Sequence, residues 1–160
     1  MNKIQYCPIG VIRSPFKSIE GMPIQSAGAK GIAGSVEIFE GFVEGIRDLE
    51  GFSHIILIYH FHRSKGYTLR VKPFLDDHLR GVFATRAPRR PNAVGISVVR
   101  LLRVGGPILH IKDVDILDGT PLLDIKPYVP VFDAKKAART GWLSSRAGNV
   151  SAVRSDKRFK

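Results

Sequence analysis

The strongest β-strand pattern of apolar and polar positions along the chain lies in residues 53–62. This run is rich in β-branched and aromatic residues, and successive side chains of a strand point to opposite faces, so it predicts a β-strand. One face would carry Ile55, Leu57, Tyr59 and Phe61. The other face is unusually polar at one end, where His60 and His62 follow each other at strand spacing.

Shorter runs with the same two-residue period predict further strands. Residues 9–13 and residues 35–39 each form one, and residues 81–85 resume the pattern later in the chain. Residues 94–104 and 108–114 flank a Gly-Gly-Pro turn signal, which predicts a hairpin. Tight turns between short consecutive strands are typical of an antiparallel sheet.

Helical periodicity is confined to two short stretches. Residues 40–49 place three apolar side chains at helical spacing, but two glycines within them each cost about 1 kcal/mol relative to alanine, so at most two turns are expected. Residues 134–139 predict one more helical turn, and residues 63–80 an exposed connection. Because no internal repeat and no strand–helix alternation occurs, the pattern predicts an all-β or β-dominated barrel with short helices.

Composition narrows the class of protein. A chain of 160 residues with 44% hydrophobic residues and a mean hydropathy of -0.01 is expected to fold as one domain around a real core. The single cysteine, Cys7, forms no intrachain disulfide, so we expect a reducing, cytoplasmic location. The longest apolar run, residues 55–59, falls far short of the roughly 20 residues of a membrane span, and no apolar leader follows Met1.

Charge is distributed unevenly. The net charge of +11 favours a polyanionic partner, and residues 81–160 carry it, with fifteen basic against six acidic groups. Part of the excess lies in residues 85–92, where three arginines stand among two prolines that stiffen the backbone and an asparagine. The rest lies in a tail from Lys135 onward, for which a solubilising surface and RNA contact are equally good interpretations.

Common catalytic signatures are missing from the sequence. No Gly-x-Gly-x-x-Gly follows a strand and no phosphate-binding loop occurs, so a Rossmann-type nucleotide site is not expected. The His60-x-His62 pair has a metal-ligand spacing, but no further ligand stands in a recognisable motif with it, and we expect no metal. A serine hydrolase would need a nucleophile elbow, which is also missing. Residues 115–128 combine a turn glycine, prolines and several acids, which is more than a core strand requires, so they are a candidate functional segment. The alternative interpretation is a rigid turn in which aspartates cap backbone amides.

Five ordered motifs together resemble the TsaA-like family, whose characterised members are the TrmO-type tRNA methyltransferases. They are Gly10-Val-Ile-Arg-Ser-Pro15, Pro23-x-Gln25, Phe52-Ser-His54, residues 85–92 and residues 115–128. The resemblance covers residues 5–133 and leaves 134–160 as a basic C-terminal extension. It implies a single-sheeted β-barrel that works as a homodimer. The implied reaction transfers a methyl group from S-adenosyl-L-methionine to N6 of N6-threonylcarbamoyladenosine beside the tRNA anticodon.

Carried over by position, the resemblance also implies a cofactor pocket. Its residues here are Gln25, Ser26, Ala27, His62, Arg63, Arg86, Ile96, Leu117, Asp118, Gly119 and Thr120. Loss of the N6 proton needs an acceptor, for which His62 and Asp118 are both candidates.

The basic residues are the expected contacts to tRNA phosphates. They are Arg89, Arg90, Lys135, Lys136 and Arg139. A competing interpretation from another class is a non-catalytic RNA-binding β-barrel, which would bind tRNA without binding S-adenosylmethionine. Titration with S-adenosylmethionine separates the two.

Overall fold

A computed structural model describes residues 3–145, 148 and 151–159. Six antiparallel strands close into a barrel in the order β1-β2-β7-β6-β3-β8. They are β1 (Gly10–Arg13), β2 (Ala33–Ile38), β3 (His54–His60), β6 (Val94–Gly105), β7 (Ile108–Lys112) and β8 (Thr120–Pro127). Beside the barrel, β4 (Arg70–Val71) and β5 (Arg80–Gly81) form a two-stranded ribbon. Closure leaves the barrel without an edge strand, and the predicted β-dominated antiparallel barrel is confirmed.

The barrel core follows from the two-residue period of the strands. Ile55, Leu57 and Tyr59 of β3 all point inward and are buried, as the two-residue period predicts. They pack with inward residues of the other five strands, and burying each such side chain contributes about 1.5–3 kcal/mol. The predicted hairpin is confirmed too, since Gly105 pairs with Ile108 across the turn between β6 and β7.

Two predicted elements differ in kind or extent from the observed ones. Residues 40–49 form no α-helix but two 3₁₀ segments, Glu40–Ile46 and Leu49–Gly51, separated where Asp48 adopts a left-handed conformation (φ 65°). The strand predicted over 81–85 stops at Gly81, because Val82–Ala84 turn into a 3₁₀ helix.

The last helical turn lies earlier than predicted. A short helix α1 (Pro130–Asp133) replaces the turn expected over residues 134–139. Pro130 is favourable at its start, because the missing N–H would have no partner in a first helical turn. Lys135, Lys136 and Arg139 are therefore exposed residues of an irregular segment that follows the helix.

A second, smaller hydrophobic cluster lies outside the barrel. Val71, Val82, Ala87 and Phe159 are its buried members, and Phe74 packs against them. The segment 63–80 is thus only partly the exposed connection that the sequence predicts, because β4 and its neighbours bury side chains here. Phe159 brings the C-terminal segment 151–159 onto the same cluster.

Hydrogen bonds fix that C-terminal segment to the loop before β2. The Ser155 hydroxyl donates to the carbonyl of Ile19 and accepts from the Met22 amide at 2.9 Å. The backbones of Arg154 and Pro23 form an isolated antiparallel β-bridge. Two basic residues of the predicted tail, Arg146 and Lys160, lie outside the described residues. Within the described part of the chain, no helix has the length and apolar character needed to cross a membrane.

Candidate functional site

A cavity of about 680 Å³ opens at the end of β3, outside the barrel core. The residues that follow β3, the first residues of β6 and the segment before β8 line it. The loop 19–25, the segment 83–88 and C-terminal residues line it as well. The lining is mostly apolar, with a few polar side chains directed inward, and the volume lies in the range of roughly 300–1,000 Å³ usual for small-molecule sites.

One glycine of β6 lets an aromatic ring reach the cavity. Gly95 pairs with Tyr59, and a Cβ at Gly95 would lie 2.3 Å from the Tyr59 ring. With hydrogen in that place, the ring lies across β6 and meets Phe61 edge to face at 5.4 Å. Any larger residue at this position would displace Tyr59.

A chain of three hydrogen-bonding groups leads from that ring to a carboxylate in the cavity wall. The Ser97 hydroxyl donates to Oδ1 of Asp115 at 2.7 Å, and the Tyr59 hydroxyl lies 3.0 Å from the same Ser97 oxygen. Because the Ser97 proton goes to Asp115, Tyr59 is the donor to Ser97.

Burial shifts the acid–base properties of this chain. It raises the pKa of Asp115 to about 6, although the Ser97 hydrogen bond and the positive charge of Arg86 oppose the shift. Burial also raises the pKa of Tyr59, which therefore stays neutral. Asp115 can thus exchange a proton near neutral pH. The sequence pointed to the acids of residues 115–128 as a group, but no spacing singled out Asp115.

His62 is a second group that can accept a proton in the cavity. The Thr120 hydroxyl donates to the carbonyl of Leu117 at 2.7 Å, so at its 3.3 Å contact with Nδ1 of His62 it is the acceptor. Neutral His62 then carries its proton on Nδ1 and its lone pair on Nε2. Burial lowers the pKa of His62, and the charges of Arg63 and His60 lower it further, which favours this neutral form.

Two arginines of the segment 85–92 differ in what they bind. Arg86 is exposed in the cavity, and its Nη1 donates to Oε1 of Gln25 at 2.7 Å, which leaves other guanidinium donors for an anionic group. Nη1 of Arg90 instead donates to the carbonyls of Val82 and Thr85 at 3.1 and 2.8 Å. Arg90 therefore holds the backbone turn that presents Arg86.

The structure brings most of the predicted cofactor residues to one cavity. Seven of them line it, namely Gln25, His62, Arg63, Arg86, Ile96, Leu117 and Thr120. Ser26 and Ala27 form the 3₁₀ turn that follows Gln25.

Two other predicted residues, Asp118 and Gly119 of the turn before β8, are not among the residues that line the cavity. Gly119 provides the positive φ of 74° that the turn requires. The carboxylate of Asp118 accepts from the Ser14 amide at 3.0 Å and pairs with Lys17 at 2.7 Å, and Lys17 is the main reason that its pKa is lowered.

The described residues contain no cluster of three or more His, Cys, Asp or Glu side chains placed to hold a metal ion. His60 and His62 accordingly have no further ligand near them within that part of the chain.

Comparison with known proteins identifies relatives over most of the chain. Residues 11–134 match the model of the tRNA-methyltransferase O N-terminal domain. A probable S-adenosyl-L-methionine-binding protein of Pyrococcus abyssi is 58% identical over 156 residues, which is 98% of this chain and 85% of that protein. The tRNA (adenine(37)-N6)-methyltransferase of Escherichia coli is 36% identical over 96% of this chain and 69% of its own length.

Solved structures agree with the sequence comparison. The crystal structure of TrmO from Pseudomonas aeruginosa superposes with a TM-score of 0.74 at 40% identity and covers 88% of this chain. This chain spans 63% of the length of that protein chain.

Proposed function

The chain belongs to the TrmO family, and from that premise we propose that it transfers the methyl group of S-adenosylmethionine to N6 of an adenine in tRNA. The observation that carries the proposal is the cavity itself. It combines an apolar lining with an available guanidinium and with two proton acceptors, Asp115 and His62. These are the groups that binding a zwitterionic cofactor and removing a proton from nitrogen require.

The residues of the cavity fit S-adenosylmethionine. Arg86 offers paired N–H donors to a carboxylate, and Gln25 fixes its position. Apolar side chains such as Ile96 and Leu117 suit the flat face of an adenine ring. When bound, S-adenosylmethionine supplies a sulfonium-activated methyl group, so the protein needs no metal for the transfer. Its own contribution is to orient the acceptor nitrogen and to take up the proton.

Asp115 is the residue that we assign as proton acceptor. Its carboxylate lies in the cavity wall and is fixed by Ser97, while Asp118 already binds Lys17 and the Ser14 amide. When the methyl group passes from sulfur to N6, the N6 proton would pass to Asp115, directly or through one water. His62 is the alternative acceptor, and substitution of each residue in turn separates the two.

The acceptor adenosine that we propose is N6-threonylcarbamoyladenosine. Its threonyl carboxylate is an anion attached to the reacting nitrogen, so it needs a cation at the same cavity. Arg63 is exposed in the cavity lining and is suited to that role beside Arg86. We extend the proposal to a homodimer, as the family resemblance implies. Tyr67, Leu69 and Leu79 of the ribbon region are exposed and are of the type that dimer interfaces bury.

The direct test uses calorimetric titration with S-adenosylmethionine and a mass measurement on methylated tRNA. We expect binding, and a gain of one methyl group on tRNA that carries the threonylcarbamoyl modification but not on unmodified tRNA. Arg86→Ala should weaken S-adenosylmethionine binding, and Arg47→Ala, an exposed arginine outside the cavity, should not. Binding of tRNA without any binding of S-adenosylmethionine would support the non-catalytic alternative.

Contact between the basic residues and tRNA phosphates predicts a salt effect. We expect a variant in which Lys135, Lys136 and Arg139 are all replaced by glutamine to bind tRNA more weakly. The slope of log affinity against log salt concentration should be less steep by about 0.7–0.9 for each phosphate that the variant no longer neutralises. Filter binding across a salt series measures both quantities.

A matched control neutralises three exposed basic residues of the nearly neutral first half, Lys3, Lys30 and Arg47. If both triple variants flatten the salt dependence equally, the effect reflects net charge alone and the assigned contacts are wrong.

A further inference from the structure

The C-terminal extension contributes an aromatic ring to the cavity. Trp142 is the single tryptophan of the chain and lies in the 3₁₀ segment Gly141–Leu143. It lines the cavity together with Leu143, although both residues follow the part of the chain that matches the family model, which ends at residue 134. The ring is therefore an addition to the barrel's own lining.

Two contacts hold this ring in place. The indole Nε1 of Trp142 donates to the carbonyl of Ala84 at 2.8 Å, and the guanidinium of Arg80 lies over the ring, 5.5 Å from its centroid. Arg80 is itself fixed, because its Nε donates at 2.7 Å to Asp76, whose side chain is fully buried. The ring is thus oriented before any ligand binds, which lowers the entropic cost of stacking against it.

A second ring stands beside the carbonyl that holds Trp142. Phe83 is 73% exposed and lines the same cavity, and the guanidinium of Arg90 lies 5.8 Å from its ring centroid. Arg90 is anchored by the backbone carbonyls of Val82 and Thr85. Each ring is therefore supported by an arginine whose position is fixed by other hydrogen bonds.

Aromatic rings combined with fixed arginines are suited to an unstacked nucleobase. Every base has a π-face, and base–aromatic stacking supplies binding energy that a flipped base loses on leaving its own helix. Among the groups assigned to S-adenosylmethionine, Gln25, His62 and Thr120 are on other segments of the chain, and Arg86 follows Phe83 by three residues. We propose that Trp142 and Phe83 form a stacking site for the adenine that accepts the methyl group. This inference rests on the proposed function.

Intrinsic fluorescence tests the site in the unmodified protein, since Trp142 is the only tryptophan. The probe is an anticodon stem-loop RNA with N6-threonylcarbamoyladenosine beside the anticodon, compared with the same RNA carrying an abasic nucleotide there. We expect the first RNA to quench Trp142 strongly and the abasic RNA to quench it weakly. S-adenosylmethionine alone should leave the emission nearly unchanged.

Three results would overturn the assignment. Equal quenching by the two RNAs would show that Trp142 does not contact that base. Saturable quenching by S-adenosylmethionine alone would place the ring in the cofactor site. Emission that changes with protein concentration but not with RNA would mean that a second copy of the chain covers the ring.

Variants provide an independent measurement. Trp142→Leu should raise the KM for tRNA by on the order of 10-fold or more and leave the Kd for S-adenosylmethionine unchanged, while Trp142→Phe should retain most of the affinity. Phe132→Leu is the matched control, because Phe132 is 71% exposed and outside the cavity lining. A loss of both affinities in Trp142→Leu would indicate a merely structural role.

The two proposals can fail separately. Methyl transfer without base-dependent quenching would refute the stacking site and support the proposed reaction. Base-dependent quenching without methyl transfer would support the stacking site and refute the reaction.

Discussion

Replacing Asp115 with asparagine is expected to lower the rate of methyl transfer by about 10²- to 10⁴-fold, the usual contribution of a positioned general base. Asparagine preserves the shape of the side chain and can still accept the hydrogen bond that Ser97 donates at 2.7 Å. What it loses is the ability to take up the N6 proton. Single-turnover assays on modified tRNA measure the loss, and circular dichroism checks that the barrel remains folded.

The pH profiles of two variants identify which group accepts the proton. Burial raises the pKa of Asp115 to about 6, so the active carboxylate forms as the pH rises through that value and the rate should rise to a plateau above it. The charged and titratable groups that act on Asp115 are Arg86 and Tyr59. Asp115→Asn should remove this rise. If Asp115→Asn retains the rise while His62→Gln removes it, His62 is the proton acceptor.

Measuring the stability of the Asp115→Asn variant shows whether its loss of activity is catalytic or structural. Because the folded state raises the pKa of Asp115, it favours the protonated form, and its stability declines as the pH rises through about 6. Asp115→Asn removes this penalty and should be at least as stable as the original protein at pH 7. Asp118→Asn is the control in the opposite direction. The pKa of Asp118 is lowered by Lys17, so this variant should lose stability at neutral pH and keep the activity profile.

Truncation of Phe159 to alanine is expected to lower the free energy of unfolding by about 3–5 kcal/mol, the usual cost of removing a buried phenylalanine. Phe159 is 5% exposed and meets Phe74 edge to face at 5.1 Å. Its cluster also contains Val82 and Ala87, which flank Arg86 in sequence. S-adenosylmethionine binding should weaken as well, and urea unfolding with calorimetric titration measures both effects.

Phe132→Ala is the control for this truncation. Phe132 is 71% exposed, so its loss should change the free energy of unfolding by no more than about 0.5 kcal/mol. Equal destabilisation by the two variants would refute the inference that the C-terminal segment stabilises the cavity wall.

The local pattern of residues predicted the barrel, but it did not predict β8, the strand that pairs with β1 and β3. The β-branched and aromatic run of β3 and the turn signal between β6 and β7 depend on neighbouring residues, which a sequence displays directly. β8 was not predicted, because Pro121 and Pro127 interrupt its pattern. Pro121 is tolerated because it is the second residue of the strand, and it still pairs with Val11 of β1.

Seven of the eleven cofactor residues that the family resemblance predicted line the cavity, while local reasoning could not choose among the acids. Asp115 and Asp118 stand three residues apart in one turn, and only the fold shows that one meets Ser97 of β6 and the other Lys17. The tail likewise depends on contacts that the local sequence does not show. Its basic composition predicted a charged surface, but Trp142, Leu143 and Phe159 determine where it packs, and their partners are far away in sequence.

The route of the chain around the cavity sets an order of events during synthesis. β8 ends at Pro127, so all six barrel strands leave the ribosome before the segment that contains Ser155 and Phe159. The barrel can close first, whereas the cavity wall forms only when this segment docks on the loop that holds Met22. A nascent chain that has reached β8 is therefore expected to contain a folded barrel that does not yet bind its ligands.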